Sequence, residues 1–250
     1  MAKTLELPII DFASSDRNST AHSIRQACVE CGFFYLVNHG VEDKLLQKVL
    51  EGSKAFFSLS LEEKMKLARK EHRGYTPLYA EKLDPSSSSR EVLPSWRSTM
   101  EDYYKRVLNA GERLISLIAL ALNLDENFFS DVGAFNLPNA FLRLLHYPGE
   151  LGASSEEIYG ASAHSDYGMI TLLATDGIGG LQECLLTWST LHRVMPTGQE
   201  RYSVAFFLDP NPDCVVECLK SCCNKSTPPR YPPIRSGDYL KERLKLTYGS

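Results

Sequence analysis

The residues Gly160–Thr175 read "GASAHSDYGMITLLAT" and place a histidine, His164, two positions before an aspartate, Asp166. In an extended chain, residues two apart share a face of the strand, so this imidazole and this carboxylate lie close enough to bind the same small ligand. A metal ion is the obvious candidate. One histidine and one aspartate hold a transition metal poorly, so the pattern predicts a third ligand elsewhere in the chain.

The third ligand is predicted to be His192, which is the one histidine that follows Asp166 in the sequence and lies on a further predicted strand, "TLHRVM". Two histidines and a carboxylate on one side of a metal, with three positions left open, form the ligand set of non-haem Fe(II) oxygenases. Zinc hydrolases use similar ligands. The residue types alone therefore leave the metal open.

A second group of polar residues follows the third ligand. Arg201 lies nine residues beyond His192, and Ser203 follows it at same-face spacing. If the turn between His192 and Arg201 is centred on Thr197–Gly198, antiparallel pairing puts Ser203 opposite His192. The side chains of Arg201 and Ser203 then face the metal side of the barrel. An arginine fork beside a hydroxyl suits a ligand carboxylate. Tyr147, on the predicted strand "FLRLLHY", could add a phenolic hydrogen bond to the same group.

Composition narrows the class of protein. The chain has 250 residues, of which 43% are hydrophobic and 23% are charged, and a formal net charge of -4 with no basic block, so we expect no nucleic-acid partner. The longest apolar helical run, Leu114–Leu122, is too short to span a bilayer, and the N-terminus lacks a signal-peptide core. Seven cysteines without a secretory signal favour a reducing compartment. We therefore expect a cytoplasmic protein without a membrane partner.

The order of predicted elements divides the chain into two parts. Residues 1–125 are helix-rich with a strand pair, and residues 126–250 are strand-rich. Turn residues separate most of the later strands, as is typical of a β-sandwich or barrel. The six candidate strands contain or begin at Phe141, Met169, Leu181, Thr190, Tyr202 and Cys214.

Several segments together resemble the plant-type 2-oxoglutarate and Fe(II)-dependent dioxygenases of the isopenicillin N synthase-like superfamily, a group with gibberellin oxidases, flavonol synthases and hyoscyamine hydroxylase. The segments are "LPIIDF", "CGFFYLVNHGV", "RGYTP", "HSDYGMITLLATDGIGGLQ", "LHRV" and "RYSVAFFLDP". The resemblance implies an α+β fold in which a helix-rich N-terminal part packs on a double-stranded β-helix, or jelly roll.

The same resemblance implies the roles of the candidate site residues. His164, Asp166 and His192 would be the Fe(II) ligands. Arg201 and Ser203, assisted by Tyr147, would anchor the distal carboxylate of the cosubstrate 2-oxoglutarate, with O2 as the second cosubstrate. The implied reaction is the hydroxylation or related oxidation of a small organic metabolite in plant specialised metabolism.

The chain departs from the family pattern at one place. Only 25 residues separate Asp166 from His192, where family members have a far longer segment. A complete jelly roll needs about eight strands, so the domain at 126–250 is predicted to be incomplete and shortened between these two ligands. Two functional hypotheses follow: an active oxygenase, or a catalytically impaired splice or gene-model remnant that at best binds metal, ligand or a partner.

Overall fold

The computed structural model describes residues 6–68, 74–76, 95–149, 160–185 and 190–248. The polar segment Lys82–Arg90, which the sequence predicts to be a loop, lies outside these residues. Within the described ranges, every helix is too short or too polar to cross a membrane.

A parallel strand pair and a helix open the chain. Strand β1 (Ile9–Asp11) pairs in parallel with β2 (Tyr35–Val37), and helix α1 (Arg17–Glu30) forms the crossover between them. Helix α1 begins after Asp16, whose side chain accepts a hydrogen bond from the backbone N–H of Ser19 at 2.9 Å and so satisfies one unpaired donor of the first turn. The strand pair and the helix lie where the sequence predicts them.

The helices that follow support the later sheet. They are α2 (Asp43–Phe57), α3 (Leu61–Met65), α4 (Trp96–Ala121) and α5 (Phe128–Asp131). Helix α3 begins after Ser60, whose hydroxyl accepts from the Glu63 N–H at 3.2 Å and so satisfies one unpaired donor of the first turn. The Glu63 carboxylate pairs with Lys66. Helix α4 is the longest of the four and contains most of the apolar run Leu114–Leu122.

The second half of the chain forms two antiparallel sheets of three strands each. The strands are β3 (Asn139–Tyr147), β4 (Ala161–His164), β5 (Ile170–Thr175), β6 (Leu181–Leu185), β7 (Leu191–Val194) and β8 (Arg201–Asp209). The sheet orders are β3-β8-β5 and β4-β7-β6. The mixed architecture of helices and antiparallel sheets confirms the predicted α+β class. Strand β4 is missing from the six predicted strands because its residues, Ala161–His164, are small or polar and lack the branched and aromatic side chains that predict a strand.

The chain ends in a small strand pair and a helix. Strands β9 (Val215–Val216) and β10 (Ile234–Arg235) pair antiparallel, and α6 (Ser236–Tyr248) follows at once. The guanidinium of Arg243 on α6 lies 4.7 Å from the centre of the Tyr167 ring. Tyr167 follows directly after Asp166, so this contact brings the last helix beside the segment that carries the predicted metal ligands.

Among the described residues, both sheets have fewer strands than those of an eight-stranded jelly roll, which would have about four in each sheet. Between Asp166 and His192 the described residues form two strands, β5 and β6. Strand β6 pairs directly with β7, and β5 pairs with β8, so β5 and β6 are edge strands of their sheets within the described part of the chain.

Strand β8 separates the helical core from the site. Its even-numbered side chains are buried against α2 and α4, in a cluster of Tyr202, Val204, Phe206 and Leu208 with Val49, Leu50, Val107 and Ile115. Because strand side chains alternate between faces, the odd-numbered residues of β8 face away from the helices. That opposite face carries Arg201 and Ser203.

The predicted pairing of His192 with Ser203 is wrong. Strand β7 pairs with β4 and β6, whereas β8 pairs with β3 and β5, and Ser203 lies opposite Leu145 and Thr175. The connection from Met195 to Glu200 does not make a tight hairpin, because it carries the chain from one sheet to the other. A hairpin is the default for successive strands, and here the exchange between sheets overrides it.

Candidate metal and cosubstrate site

His164 and His192 lie directly opposite each other on neighbouring strands, and Asp166 completes the group. The two histidines are register partners of β4 and β7, and their ring centres are 4.4 Å apart. Oδ1 of Asp166 lies 3.7 Å from Nε2 of each histidine. The structure thus brings the three predicted metal ligands together, although the sequence separates the first from the last by 28 positions.

Backbone carbonyls orient both imidazole rings. Nδ1 of His164 lies 2.7 Å from the carbonyl oxygen of Ser162, and Nδ1 of His192 lies 3.2 Å from that of Thr190. A carbonyl oxygen can only accept, so Nδ1 donates in both rings. In the neutral rings the lone pair is then on Nε2, which is the atom that faces Asp166.

Thr171 fixes the orientation of the carboxylate. Its hydroxyl donates to Oδ2 of Asp166 at 2.6 Å, which leaves Oδ1 for the two histidines. Thr171 lies on β5 and is half-buried. The sequence pattern did not predict a role for Thr171. Its signal was present, since Thr171 is the first polar residue of the strand that follows Asp166 and belongs to the face opposite the helix-packed Ile170 and Leu172.

The ligand atoms are spaced closely enough for one metal ion. All three lie within 4.8 Å of one another, and no second group of three His, Cys, Asp or Glu residues among the described parts of the chain meets that criterion. Ligands bound to one ion at about 2.1 Å lie about 3 Å apart, so separations of 3.7 Å to at most 4.8 Å would contract by about 1 to 2 Å when an ion binds. Two imidazoles and one carboxylate fit Fe(II) with three positions open.

The N-terminal half of the chain contacts the site through β7. The ring of Phe33 meets His192 edge-on with ring centres 5.5 Å apart. Gly32 precedes it with a φ of 74°, and a Cβ there would lie 1.9 Å from Oγ1 of Thr190. Only glycine combines this backbone conformation with this close approach. The helix-rich part therefore packs directly behind one of the metal ligands.

Arg201, Ser203 and Tyr147 form a second polar group on the site face of β8. Arg201 and Ser203 are 3% and 1% exposed. Nε of Arg201 donates to the carbonyl oxygen of Ile178 at 3.0 Å, and its guanidinium lies 4.9 Å from the centre of the Tyr147 ring. Tyr147 is the register partner of Arg201 in β3. The three predicted cosubstrate residues are thus adjacent.

Two buried donors in this group lack an acceptor. Nη1 of Arg201 and Oγ of Ser203 are buried and have no hydrogen-bond partner among the described residues. A buried polar atom that lacks a partner costs on the order of 1 to 3 kcal/mol. A cation and a hydroxyl two residues apart on one strand face are suited to a carboxylate. The donor set therefore fits the distal carboxylate of 2-oxoglutarate.

Three comparisons relate the chain to known proteins. Residues 7–109 match the family model described as the non-haem dioxygenase in morphine synthesis N-terminal region. The kihadalactone A synthase of Citrus sinensis is 32% identical over 306 residues, which cover 96% of this chain and 91% of that protein. The azadirone synthase of Melia azedarach is 31% identical, with 95% and 92% covered.

Solved structures agree with these relatives. A full-length Neurospora crassa protein, crystallised in complex with alpha-KG and thymine, superposes with a TM-score of 0.84 and 26% identity, covering 99% of both chains. With this coverage the likeness extends over the helix-rich part as well as both sheets.

The alignments with the two plant synthases extend over 306 residues, whereas this chain has 250, so the relatives contain segments that this chain lacks. The aligned part nevertheless covers 96% of this chain. On these grounds the chain belongs to the 2-oxoglutarate- and Fe(II)-dependent dioxygenases, whose members use Fe(II), 2-oxoglutarate and O2.

Proposed function

We propose that this protein holds Fe(II) through His164, Asp166 and His192 and couples the decarboxylation of 2-oxoglutarate to the hydroxylation, or a related oxidation, of a small organic metabolite. The observation that carries the proposal is the convergence of these three ligand atoms within 4.8 Å. The substrate class is supported by relatives whose names point to small molecules, since they include a kihadalactone A synthase, an azadirone synthase and a protein crystallised with thymine.

In the proposed mechanism, the protein positions the reactants and the metal supplies the oxidation. Nε2 of both histidines and Oδ1 of Asp166 would hold the ion from one side, and Thr171 keeps the remaining carboxylate oxygen away from it. When bound, Fe(II) supplies the chemistry by which 2-oxoglutarate, O2 and a substrate C–H become succinate, CO2 and a hydroxylated product.

The cosubstrate group acts on the other end of 2-oxoglutarate. Arg201 would form two parallel hydrogen bonds to the distal carboxylate, and the Ser203 hydroxyl would donate a third. The Tyr147 ring packs against the guanidinium and restricts its direction. Burial of Arg201 and Ser203 excludes water, which strengthens these charge-assisted bonds.

The test of the proposal is a pair of histidine variants. His164→Ala removes one ligand atom, and we expect Fe(II) affinity under anaerobic conditions and 2-oxoglutarate-dependent succinate formation to fall at least about 100-fold. His22→Ala is the matched control, because His22 is exposed on α1, and it should match the parent protein. Equal Fe(II) affinity in both variants would overturn the assignment of the site.

A second candidate is a chain that binds metal and cosubstrate but turns over poorly. Two observations favour it: each sheet has three strands in the part of the chain that the structure describes, and the plant relatives align over more residues than this chain has. Catalytic groups must be held within about 0.5 Å, and edge strands hold them less rigidly than covered strands do. Binding of Fe(II) and 2-oxoglutarate without succinate formation would identify this candidate.

A further inference from the structure

Asp209 ends the strand that begins with the cosubstrate anchor, and its carboxylate contacts the metal-binding segment. The residue is 4% exposed, and its Oδ1 accepts a hydrogen bond from the backbone N–H of Met169 at 2.9 Å. We propose that Asp209 is a positioning residue that fixes the turn Ser165–Met169 and thereby the direction of Asp166. The inference rests on the proposed iron site.

The carboxylate of Asp209 packs tightly against the turn Ser165–Met169. A Cβ at Gly168 would lie 1.7 Å from Oδ1 and 2.7 Å from Cγ of Asp209, so no side chain fits between the turn and the carboxylate. The contact atoms belong to a short carboxylate at the end of a paired strand, which cannot swing away as a long side chain could. Gly168 and Asp209 therefore define the path of the backbone two residues after Asp166.

The strand register carries this constraint to the metal ligand. Ile170 opens β5 opposite Leu208, the residue before Asp209, so the turn enters β5 directly beside the carboxylate. One residue further, Thr171 donates to Asp166. The turn is thus held at two points, by Asp209 at Met169 and by Thr171 at the ligand itself. Arg201 lies at the other end of the same strand. Strand β8 therefore carries both the cosubstrate anchor and the carboxylate that contacts the turn Ser165–Met169.

The charge of Asp209 favours a role beside a cation. Burial raises the pKa of the Asp209 carboxyl, the Met169 hydrogen bond lowers it, and the nearby Asp166 carboxylate raises it again. A neutral side chain could accept the same hydrogen bond without repelling Asp166. A bound divalent cation relieves the repulsion between the two carboxylates, so the negative charge is an advantage only when the metal is present.

The experiment compares three variants by two measurements. In Asp209→Ala, we expect the Met169 amide of the metal-free protein to exchange with solvent at least about tenfold faster, and Fe(II) affinity to fall about 10- to 100-fold. Asp209→Asn keeps an oxygen acceptor, so we expect it to retain the Met169 protection and to lose less affinity. Asp213→Ala is the control, since its side chain is 87% exposed and lies four residues further on.

The outcomes separate this inference from the iron site itself. Unchanged Met169 exchange and unchanged Fe(II) affinity in Asp209→Ala overturn the positioning role. Faster exchange of the Met169 amide supports the contact between Asp209 and the turn Ser165–Met169. It does so even if His164→Ala shows that iron binds elsewhere, because exchange is measured without metal. If Asp209→Ala fails to fold, Gly168→Ala provides the same displacement from the other side, and parent-like affinity in that variant contradicts the proposal.

Discussion

Oγ1 of Thr171 lies 2.6 Å from Oδ2 of Asp166, so a hydroxyl on one sheet holds the carboxylate that completes a metal site on the other. Thr171 belongs to the sheet β3-β8-β5, whereas His164 and His192 belong to β4-β7-β6. The hydrogen bond therefore couples the two sheets at the point where their separation determines the ligand geometry.

Replacing Thr171 by valine should loosen the carboxylate without changing the volume of the side chain. We expect Thr171→Val to bind Fe(II) about 10- to 100-fold more weakly than the parent protein, as is typical when an outer hydrogen bond to a metal ligand is removed. Anaerobic titration with Fe(II) measures this. Thr171→Ser retains the hydroxyl and should recover most of the affinity. Equal affinity of the valine and serine variants would show that the hydroxyl has no orienting role.

Replacing Arg201 by lysine should weaken the binding of 2-oxoglutarate much more than the binding of Fe(II). Lysine keeps the charge and loses the two-pronged geometry, so we expect 2-oxoglutarate affinity to fall about tenfold or more while Fe(II) affinity stays within about twofold. Calorimetric titration of each ligand measures the two effects. Arg193→Lys on β7, where the arginine bonds to Gln182, is the control. Equal losses of both affinities in Arg201→Lys would contradict the anchor role.

Glu200 should make the stability of the β3–β8 strand pair depend on pH in the acidic range. Hydrogen bonds from Tyr202 and then from His146 lower the pKa of the Glu200 carboxyl below the ordinary value of 4.5, while burial raises it slightly. Because the folded-state pKa is lower than the unfolded one, the stabilisation is present above pH 4.5 and is lost as the pH falls through the lowered value. The side chain is 58% exposed, so solvent screening keeps the effect small.

Urea unfolding between about pH 3 and about pH 6 measures this dependence. We expect the free energy of unfolding of Glu200→Gln to fall less steeply with decreasing pH than that of the parent protein. Glu217→Gln, at an exposed position after β9, should have the same pH dependence as the parent protein. The same slope in Glu200→Gln and the parent protein would show that other carboxylates dominate this dependence.

The edge strands of the two described sheets predict a weakly cooperative jelly roll. Edge strands leave backbone donors and acceptors without a ladder partner and expose side chains such as Leu173 on β5, which is 43% exposed. We expect a broad thermal transition and slow succinate formation. A family-like insert between Gln182 and Ser189 should sharpen the transition and raise the rate. A sharp transition of the present chain, with the same rate as the extended one, would show that six strands suffice.

The candidate site was predictable from the sequence where local spacing and residue type decide it. The two-residue spacing of His164 and Asp166 at a strand end, and a later histidine on a strand, indicate the ligand set before any pairing is known. The contributions of Thr171 and Asp209 were not predictable in the same way. Asp209 contacts Met169 across 40 positions of sequence, and such a contact depends on which strands are neighbours.

Local sequence patterns account for the residue types of the site, the helical first half and the strand-rich second half, because hydrophobic periodicity, capping residues and ligand chemistry act over a few positions. Tertiary structure alone decided that β7 and β8 lie in different sheets, so that His192 pairs with His164 and Ser203 with Leu145 and Thr175. Strand pairing is chosen by the burial of whole sheet faces, and that choice depends on every strand together.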